Sequence, residues 1–317
     1  MVKWFILILV ILVLIFLIIF NIIDQNEDNI LFFPKKGGDW LPKQKYDEIF
    51  LNINDNKDVC YSPKDKKKGE SYICCWHFNN FKGRPLWAFF HGTTGCLRNR
   101  DYIISLCEKF KFNLFLFDYS GYGDSCGKPS KNLLRENAET VHNYLHRVKG
   151  IPNKNIILWT ESLGCLSAAY LCSKYEFGGL VLLSAFSSLD DVLVHHLDGY
   201  KQTGAKILTN VLACKMDYLP VKGYLYEVKC PVVIIHSKDD EIIPYRCARI
   251  NYHAIQHKNK LFVEIKGGHS CPKITVKQLR KVFRFCDLPD DNVTSHTLGN
   301  MLKDLETYAR RHNNFMD

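Results

Sequence analysis

The sequence predicts an α/β fold built on a mostly parallel, doubly wound sheet, preceded by one N-terminal transmembrane helix. Three observations predict it. Six short apolar runs, "PLWAFFHG", "NLFLFDYSG", "NIILWTES", "GLVLLSAF", "PVVIIHSKDD" and "KLFVEIKGG", are rich in β-branched or aromatic residues, and each ends in polar residues or glycine. Helical stretches lie between them, and runs buried on both faces that alternate with helices indicate a parallel sheet. The third observation is a run from Trp4 to Phe20 without a polar residue.

That run opens the chain. Asn21 interrupts it and Ile22 and Ile23 extend it, about the length that crosses a hydrocarbon core at roughly 1.5 Å per residue. A secretory signal has a shorter apolar region and a small-residue cleavage site. Here "NIIDQNEDN" follows, so residues 1–23 read as a retained anchor. Two indications of its orientation point opposite ways. Lys3 precedes the run while Asp24, Glu27 and Asp28 follow it, which favours a cytosolic N-terminus. The Lys35–Lys36 pair and the cysteine-rich chain favour the reverse.

Residues 24–44 read as a Pro/Gly/Lys linker, residues 45–290 as the folded domain, and residues 291–317 as a C-terminal helix and tail. Strands are expected around Glu48 to Ile53 and at "SYICCWHF", Ser71 to Phe78. Helices are expected at "RDYIISLCEKF" and at "NLLRENAETVHNYLHRV", where Leu134, Ala138, Val141, Leu145 and Val148 fall at helical spacing.

Composition narrows the classes. The 317 residues are 47% hydrophobic and 24% charged, enough for a real core and against global disorder. The net charge of +9 comes with no clustered basic stripe and interleaved aromatics, so nucleic acid is not the expected partner. "KDKKKGE", Lys64 to Glu70, reads as a solvated loop. Thirteen cysteines are scattered without a C-x-x-C pair or a zinc-site spacing, which points to mostly reduced thiols and no metal centre.

In a parallel sheet function collects at the carboxyl ends of the strands. "ILWTESLGCLSAAY", Ile157 to Tyr170, passes from an apolar run through Thr-Glu-Ser-Leu-Gly into small residues that suit a helix. This is close to the G-x-S-x-G turn that lifts a serine out of a sheet, with Thr160 in place of the first glycine. Ser162 is then the candidate nucleophile; as a plain helix cap it would have no chemical role. A serine needs a base, a group to orient that base, and donors for the oxyanion. "HGTTG", His91 to Gly95, follows a strand and offers the Thr93 amide as one donor, with the Leu163 amide as the other. The acid and base should follow the serine in that order. "VVIIHSKDDEIIP" supplies Asp239 and Asp240, and "KGGHS" supplies His269. Among the twelve histidines, His269 is the one in a glycine-flanked loop after a late strand.

The set "FFHGTTG", "FDYSGYGDSCGKPS", "TESLG", "SAFSSL", "PVVIIHSKDDEIIP" and "IKGGHS" resembles the alpha/beta hydrolase superfamily. It is most similar to the short-lid branch that includes membrane-associated, depalmitoylase-like hydrolase domain-containing proteins. The resemblance covers about Phe81 to Phe285, and Asp118 to Ser130 carry its most specific part. It implies an alpha/beta hydrolase fold and a short helical lid at about 190–229. An acid loop of the form H-G-x-x-D-x-x-[VI]-P, aligned on His236, Ile243 and Pro244, makes Asp240 the acid. Ser237 stands where the family has glycine, and Ser270 where it has Asn or Asp.

The resemblance implies a serine hydrolase with the catalytic residues Ser162, Asp240 and His269, which needs no cofactor. The anchor and the short lid favour acyl esters or thioesters at a membrane, including lipidated proteins. A serine peptidase is the alternative enzyme. A membrane-anchored binding or scaffold protein without turnover is the alternative from another class, motivated by Thr160 and Ser237.

Overall fold

The computed structural model describes residues 31–55, 59–197, 220–299 and Lys303. The expected anchor at 1–23, the first part of the linker, the middle of the lid and most of the 291–317 tail lie outside the described residues. Among the described residues no helix is long and apolar enough to cross a membrane.

In chain order the strands are β1 (Phe33–Pro34), β2 (Asp47–Asn52), β3 (Val59–Cys60), β4 (Tyr72–Phe78), β5 (Leu86–Phe90), β6 (Thr94–Gly95), β7 (Asn113–Phe117), β8 (Ile156–Glu161), β9 (Gly179–Leu183), β10 (Val232–Ser237) and β11 (Lys260–Ile265). The α-helices are α1 (Asp101–Phe110), α2 (Lys131–Asn143), α3 (Gly164–Lys174), α4 (Leu189–Leu197), α5 (Val221–Glu227), α6 (Tyr245–Ala254) and α7 (Val276–Phe285). Nine strands form one sheet in the order β11-β10-β9-β8-β5-β7-β4-β2-β3. The run from β11 to β7 is parallel throughout, and β4 joins β7 antiparallel. The parallel half is the part built from the six apolar runs.

Those runs are apolar throughout because both faces of the sheet are covered. In β5, Leu86, Ala88 and Phe90 point into one core with α2, α3, α5 and α6. Trp87 and Phe89 point into the other, with α1 and α7. The second core centres on Trp87, whose ring stacks on Phe112 at 4.6 Å and on Trp159 at 4.7 Å and meets Phe283 edge-on at 5.7 Å.

Two local features differ from the expected pattern. The helix expected to run to Val148 is α-helical to Asn143 and continues as a π-turn over Tyr144–Val148. The wider turn rotates the apolar stripe, so Val148 ends 46% exposed instead of continuing the buried face. Within the stretch read as linker, Phe33–Pro34 pairs in parallel with Thr94–Gly95.

The stretch expected to form the lid starts after β9 and ends before β10, and its described ends are tied together. Asp191, in the first turn of α4, accepts from Ser187 Oγ at 2.6 Å, Ser188 Oγ at 2.7 Å and Lys222 Nζ, at the start of α5, at 3.0 Å. The Lys222 amide donates to Ser187 O at 2.9 Å.

Candidate active site

The carboxyl ends of β8, β9 and β10 lie side by side. Ser162 N–H donates to Leu183 O at 3.1 Å, and Ser184 N–H donates to Ile235 O at 3.0 Å. Ser162 joins β8 to α3 with φ +47°, in the left-handed region where a non-glycine residue is strained by about 1–3 kcal/mol. Such strain persists where the surroundings fix it. Here Gly164 fixes the close passage: a Cβ there would come within 2.2 Å of Phe90 O and 2.9 Å of His91 O. Thr160 fits at the first position of the turn because its hydroxyl donates to Val181 O at 3.1 Å, inside the sheet. The β-branched residue is thus accommodated in β8 itself, and the turn does not need to widen around it.

The His91–Gly95 loop faces the turn, with Gly92 beside the Ser162 side chain. His91 Nδ1 donates to Gly92 O at 2.7 Å, and Tyr119 Oη donates to His91 O at 3.0 Å. Burial, with Arg100 nearby, holds the His91 imidazole neutral, well below the usual histidine range. Tyr122 Oη donates to Thr93 O at 2.7 Å, and Arg100 donates to Thr94 O at 2.6 Å. The loop carbonyls are therefore engaged. Among the described residues neither Thr93 N–H nor Leu163 N–H donates to a backbone carbonyl.

The acid loop separates the two aspartates. Asp240 Oδ1 accepts from the Ile242 and Ile243 amides at 3.0 and 2.8 Å, and its carboxylate meets His269 Nδ1 at 2.9–3.0 Å. Asp239 points to the Gly267 amide at 3.3 Å. Burial works to raise the Asp240 carboxyl, but the His269 hydrogen bond and charge and the Ile243 amide outweigh it and hold it below the usual carboxylate range. A carboxylate only accepts, so Nδ1 of His269 carries the proton and Nε2 is left as the basic nitrogen. Ser237 fills the family's glycine position usefully: its Oγ accepts from Asp239 N–H at 3.0 Å. His236, fully buried, closes the loop through Nε2 to Ile243 O at 2.9 Å.

His269 follows Gly267, whose φ of +93° and 2.3 Å approach to Cys271 O exclude a side chain. The His269 amide donates to Glu241 at 3.1 Å. Its side chain is 14% exposed. Asp240 and His269 are the hydrogen-bonded part of the constellation. Ser162 stands at the end of β8, separated from β10 by β9, and no Ser162–His269 hydrogen bond forms among the described residues. Catalytic hydrogen bonds of this kind commonly tighten only when substrate is bound.

Sequence reasoning missed three supports. Glu161, directly before the serine, accepts from Tyr102 Oη at 2.5 Å, and burial raises its carboxyl above the usual range. The tyrosines of D-Y-S-G-Y-G hold the His91–Gly95 loop, roles that only the fold reveals. Asp118, the first residue of that motif, is buried and accepts from Leu97 N–H at 2.8 Å. A cavity of about 270 Å³ lined by Phe78, Phe81, Ile104 and Phe112 lies at the amino edge of the parallel strands, away from Ser162. No disulfide joins two of the described cysteines.

Asp118 carries a pH prediction. Burial pushes its carboxyl up to about 7 against the Leu97 amide and Arg100. The unfolded value is about 3.9, so the folded state holds a proton that the unfolded chain releases between them. Stability from this group is complete below the unfolded value and is lost as pH rises through about 7. Asp118→Asn keeps the acceptor for Leu97 and cannot charge. Its melting temperature relative to wild type should therefore rise between pH 5 and pH 8. A difference that stays constant across that range would refute the shift.

No family model matches the chain. It is 29% identical over 250 residues to alpha/beta hydrolase domain-containing protein 17C of Xenopus laevis, covering 74% of this chain and 75% of that protein. It is 25% identical over 250 residues to the human protein 17B, covering 74% and 81%. An uncharacterized protein of Acanthamoeba polyphaga mimivirus is 32% identical over 202 residues, covering 58% and 66%. Among solved structures, an esterase of Pyrococcus furiosus superposes with a TM-score of 0.56 at 16% identity, over 88% of this chain and 98% of that one, which establishes a shared fold. The sheet order and this superposition give the chain the alpha/beta hydrolase fold, and in sequence it is similar to the alpha/beta hydrolase domain-containing 17 proteins.

Proposed function

We propose that the chain is a serine hydrolase that cleaves acyl esters or thioesters with Ser162, His269 and Asp240, at a membrane that residues 1–23 anchor it to. The observation that carries this reading is the Asp240–His269 hydrogen bond on the same carboxyl edge of the sheet as Ser162. The names of the relatives, hydrolase and esterase, agree with the reaction class.

The chemistry follows from the side chains. Ser162 Oγ attacks the acyl carbonyl carbon while its proton passes to His269 Nε2. Asp240, held ionised, stabilises the imidazolium through Nδ1–H. The carbonyl oxygen becomes an oxyanion, which Thr93 N–H and Leu163 N–H are free to receive; one such donor is worth about 3 kcal/mol in comparable sites. Collapse expels an alcohol or thiol that takes the proton from Nε2. Water then attacks the acyl-serine, giving its proton to Nε2, and the second collapse releases the carboxylic acid and restores the serine.

The substrate class rests on the apolar run and on the short lid. The test is a panel of long-chain acyl thioesters, matched oxyesters, short-chain esters and peptide amides, assayed with the full chain. Long-chain thioesters or oxyesters should exceed short esters and amides in kcat/KM by about tenfold or more, equivalent to about 1.4 kcal/mol of transition-state binding. Equal rates across chain length would remove the lipid assignment. Turnover of the amides alone would make the enzyme a peptidase.

A further inference from the structure

We propose that residues 31–36 form a positioning strap that holds the Thr93 peptide in place and so make the chain just before the domain a part of the active site. The inference rests on the hydrolase reading, in which Thr93 N–H receives the oxyanion.

The strap grips the loop at successive residues. Thr93 Oγ1 donates to Leu31 O, and Phe33 N–H donates back to Thr93 O at 3.1 Å. Lys35 N–H donates to Gly95 O at 3.3 Å, completing the parallel pairing of β1 with β6. The strap is itself anchored to the domain: Gly123 N–H donates to Lys35 O at 2.9 Å, and Lys36 Nζ donates to Ser125 O at 3.2 Å. Phe32, between the gripping residues, is buried in the core that also holds Phe90 and Tyr119.

The geometry gives these bonds a specific task. An N–H points where its peptide plane sends it, and the Gly92–Thr93 plane is bounded on both sides. Its carbonyl is held by His91 Nδ1, and the next carbonyl along, that of Thr93, is held by Phe33 N–H and Tyr122 Oη. The Thr93 side chain adds a third tie through Leu31. A peptide rotation that turned Thr93 N–H away from the turn at Ser162 would strain or break these ties, and a buried backbone group left unpaired costs about 1–3 kcal/mol. The folded domain contributes His91 and Tyr122; the strap contributes the rest. Only residues 24–30 separate it from the end of the apolar run at Ile23.

The test compares wild type, Thr93→Val, Thr93→Ser and Phe33→Pro in the full chain, with ester turnover and hydrogen exchange of the His91–Gly95 amides as readouts. Valine keeps the shape and the backbone N–H but loses the hydroxyl, serine restores the hydroxyl, and Phe33→Pro removes the donor to Thr93 O. Thr93→Val and Phe33→Pro should lower kcat by about tenfold with KM unchanged, a fraction of the loss seen when a whole oxyanion donor is removed. They should also speed exchange across the loop. Thr93→Ser, which restores the hydroxyl, should recover kcat and slow loop exchange relative to Thr93→Val. An active wild type with kcat and exchange unchanged in Thr93→Val and Phe33→Pro overturns the strap. A wild type that turns over no acyl substrate defeats the hydrolase reading instead, and the exchange data still decide whether the strap holds the loop.

Discussion

Ser162→Ala is expected to abolish covalent labelling by a fluorophosphonate and to cut kcat by about 10⁶-fold, while Asp240→Asn cuts kcat by about 10⁴-fold and Asp239→Asn changes it little. The three effects differ for physical reasons. Removing the hydroxyl removes the atom that forms the bond. Asp240→Asn leaves an acceptor oxygen for the Ile242 and Ile243 amides, so the loop keeps its shape. The amide can turn its NH₂ toward His269, which then presents Nδ1 as an acceptor and Nε2 as N–H, the tautomer that cannot take the serine proton. Asp239 bonds the Gly267 amide, not the imidazole, and asparagine retains that bond. A ranking in which Asp239→Asn is the more damaging would reassign the acid. Labelling that survives Ser162→Ala would place the reactive serine elsewhere.

The sheet was legible because two-sided burial leaves a composition signature. Residues such as Trp87 and Ala88 point to opposite cores, so the run between polar ends is apolar without alternation. The π-turn at Tyr144–Val148 was not legible, since one extra residue in a turn changes which face Val148 occupies without changing its neighbours in sequence. At the site, chain order and turn residues pointed to Ser162 and His269. Spacing alone left Asp239 and Asp240 as adjacent alternatives; the Ile242 and Ile243 amides and His269 select Asp240 as the imidazole's partner. Thr160 and Ser237 looked like departures because a pattern records residue types and not partners. Each hydroxyl makes a hydrogen bond that a glycine could not. The pairing of Phe33 with Thr94 joins two-residue strands far apart in sequence, one of them in a Pro/Gly/Lys-rich stretch, and no periodicity announces it.

Gly164→Ala is expected to lower stability by about 3 kcal/mol or more and to abolish activity even in the fraction that folds. In an ordinary helix the same change would stabilise by up to about 1 kcal/mol, because alanine has the higher propensity and the lower unfolded-state entropy. Here the new methyl meets backbone, not a side chain that can rotate away: Phe90 O at 2.2 Å, Phe90 C at 2.6 Å and His91 O at 2.9 Å. Either α3 moves off the end of β5 or β5 moves off α3. Moving α3 displaces Ser162 and Leu163. Moving β5 displaces His91 and the loop that presents Thr93. Both routes separate the serine from the oxyanion donors, so the loss of kcat should exceed what the fall in folded fraction explains. Gly179→Ala is the matched control, since its methyl comes no closer than 3.4 Å to any atom. Overpacking of this kind costs about 1–3 kcal/mol where side chains can adjust and more where they cannot. For a domain of this size about 3 kcal/mol corresponds to a fall of roughly 6–12 °C in melting temperature. Equal melting temperatures for the two glycine variants would mean that α3 and β5 can part at little cost, and that the left-handed serine is held by the Leu183 hydrogen bond instead of by the close passage at Gly164.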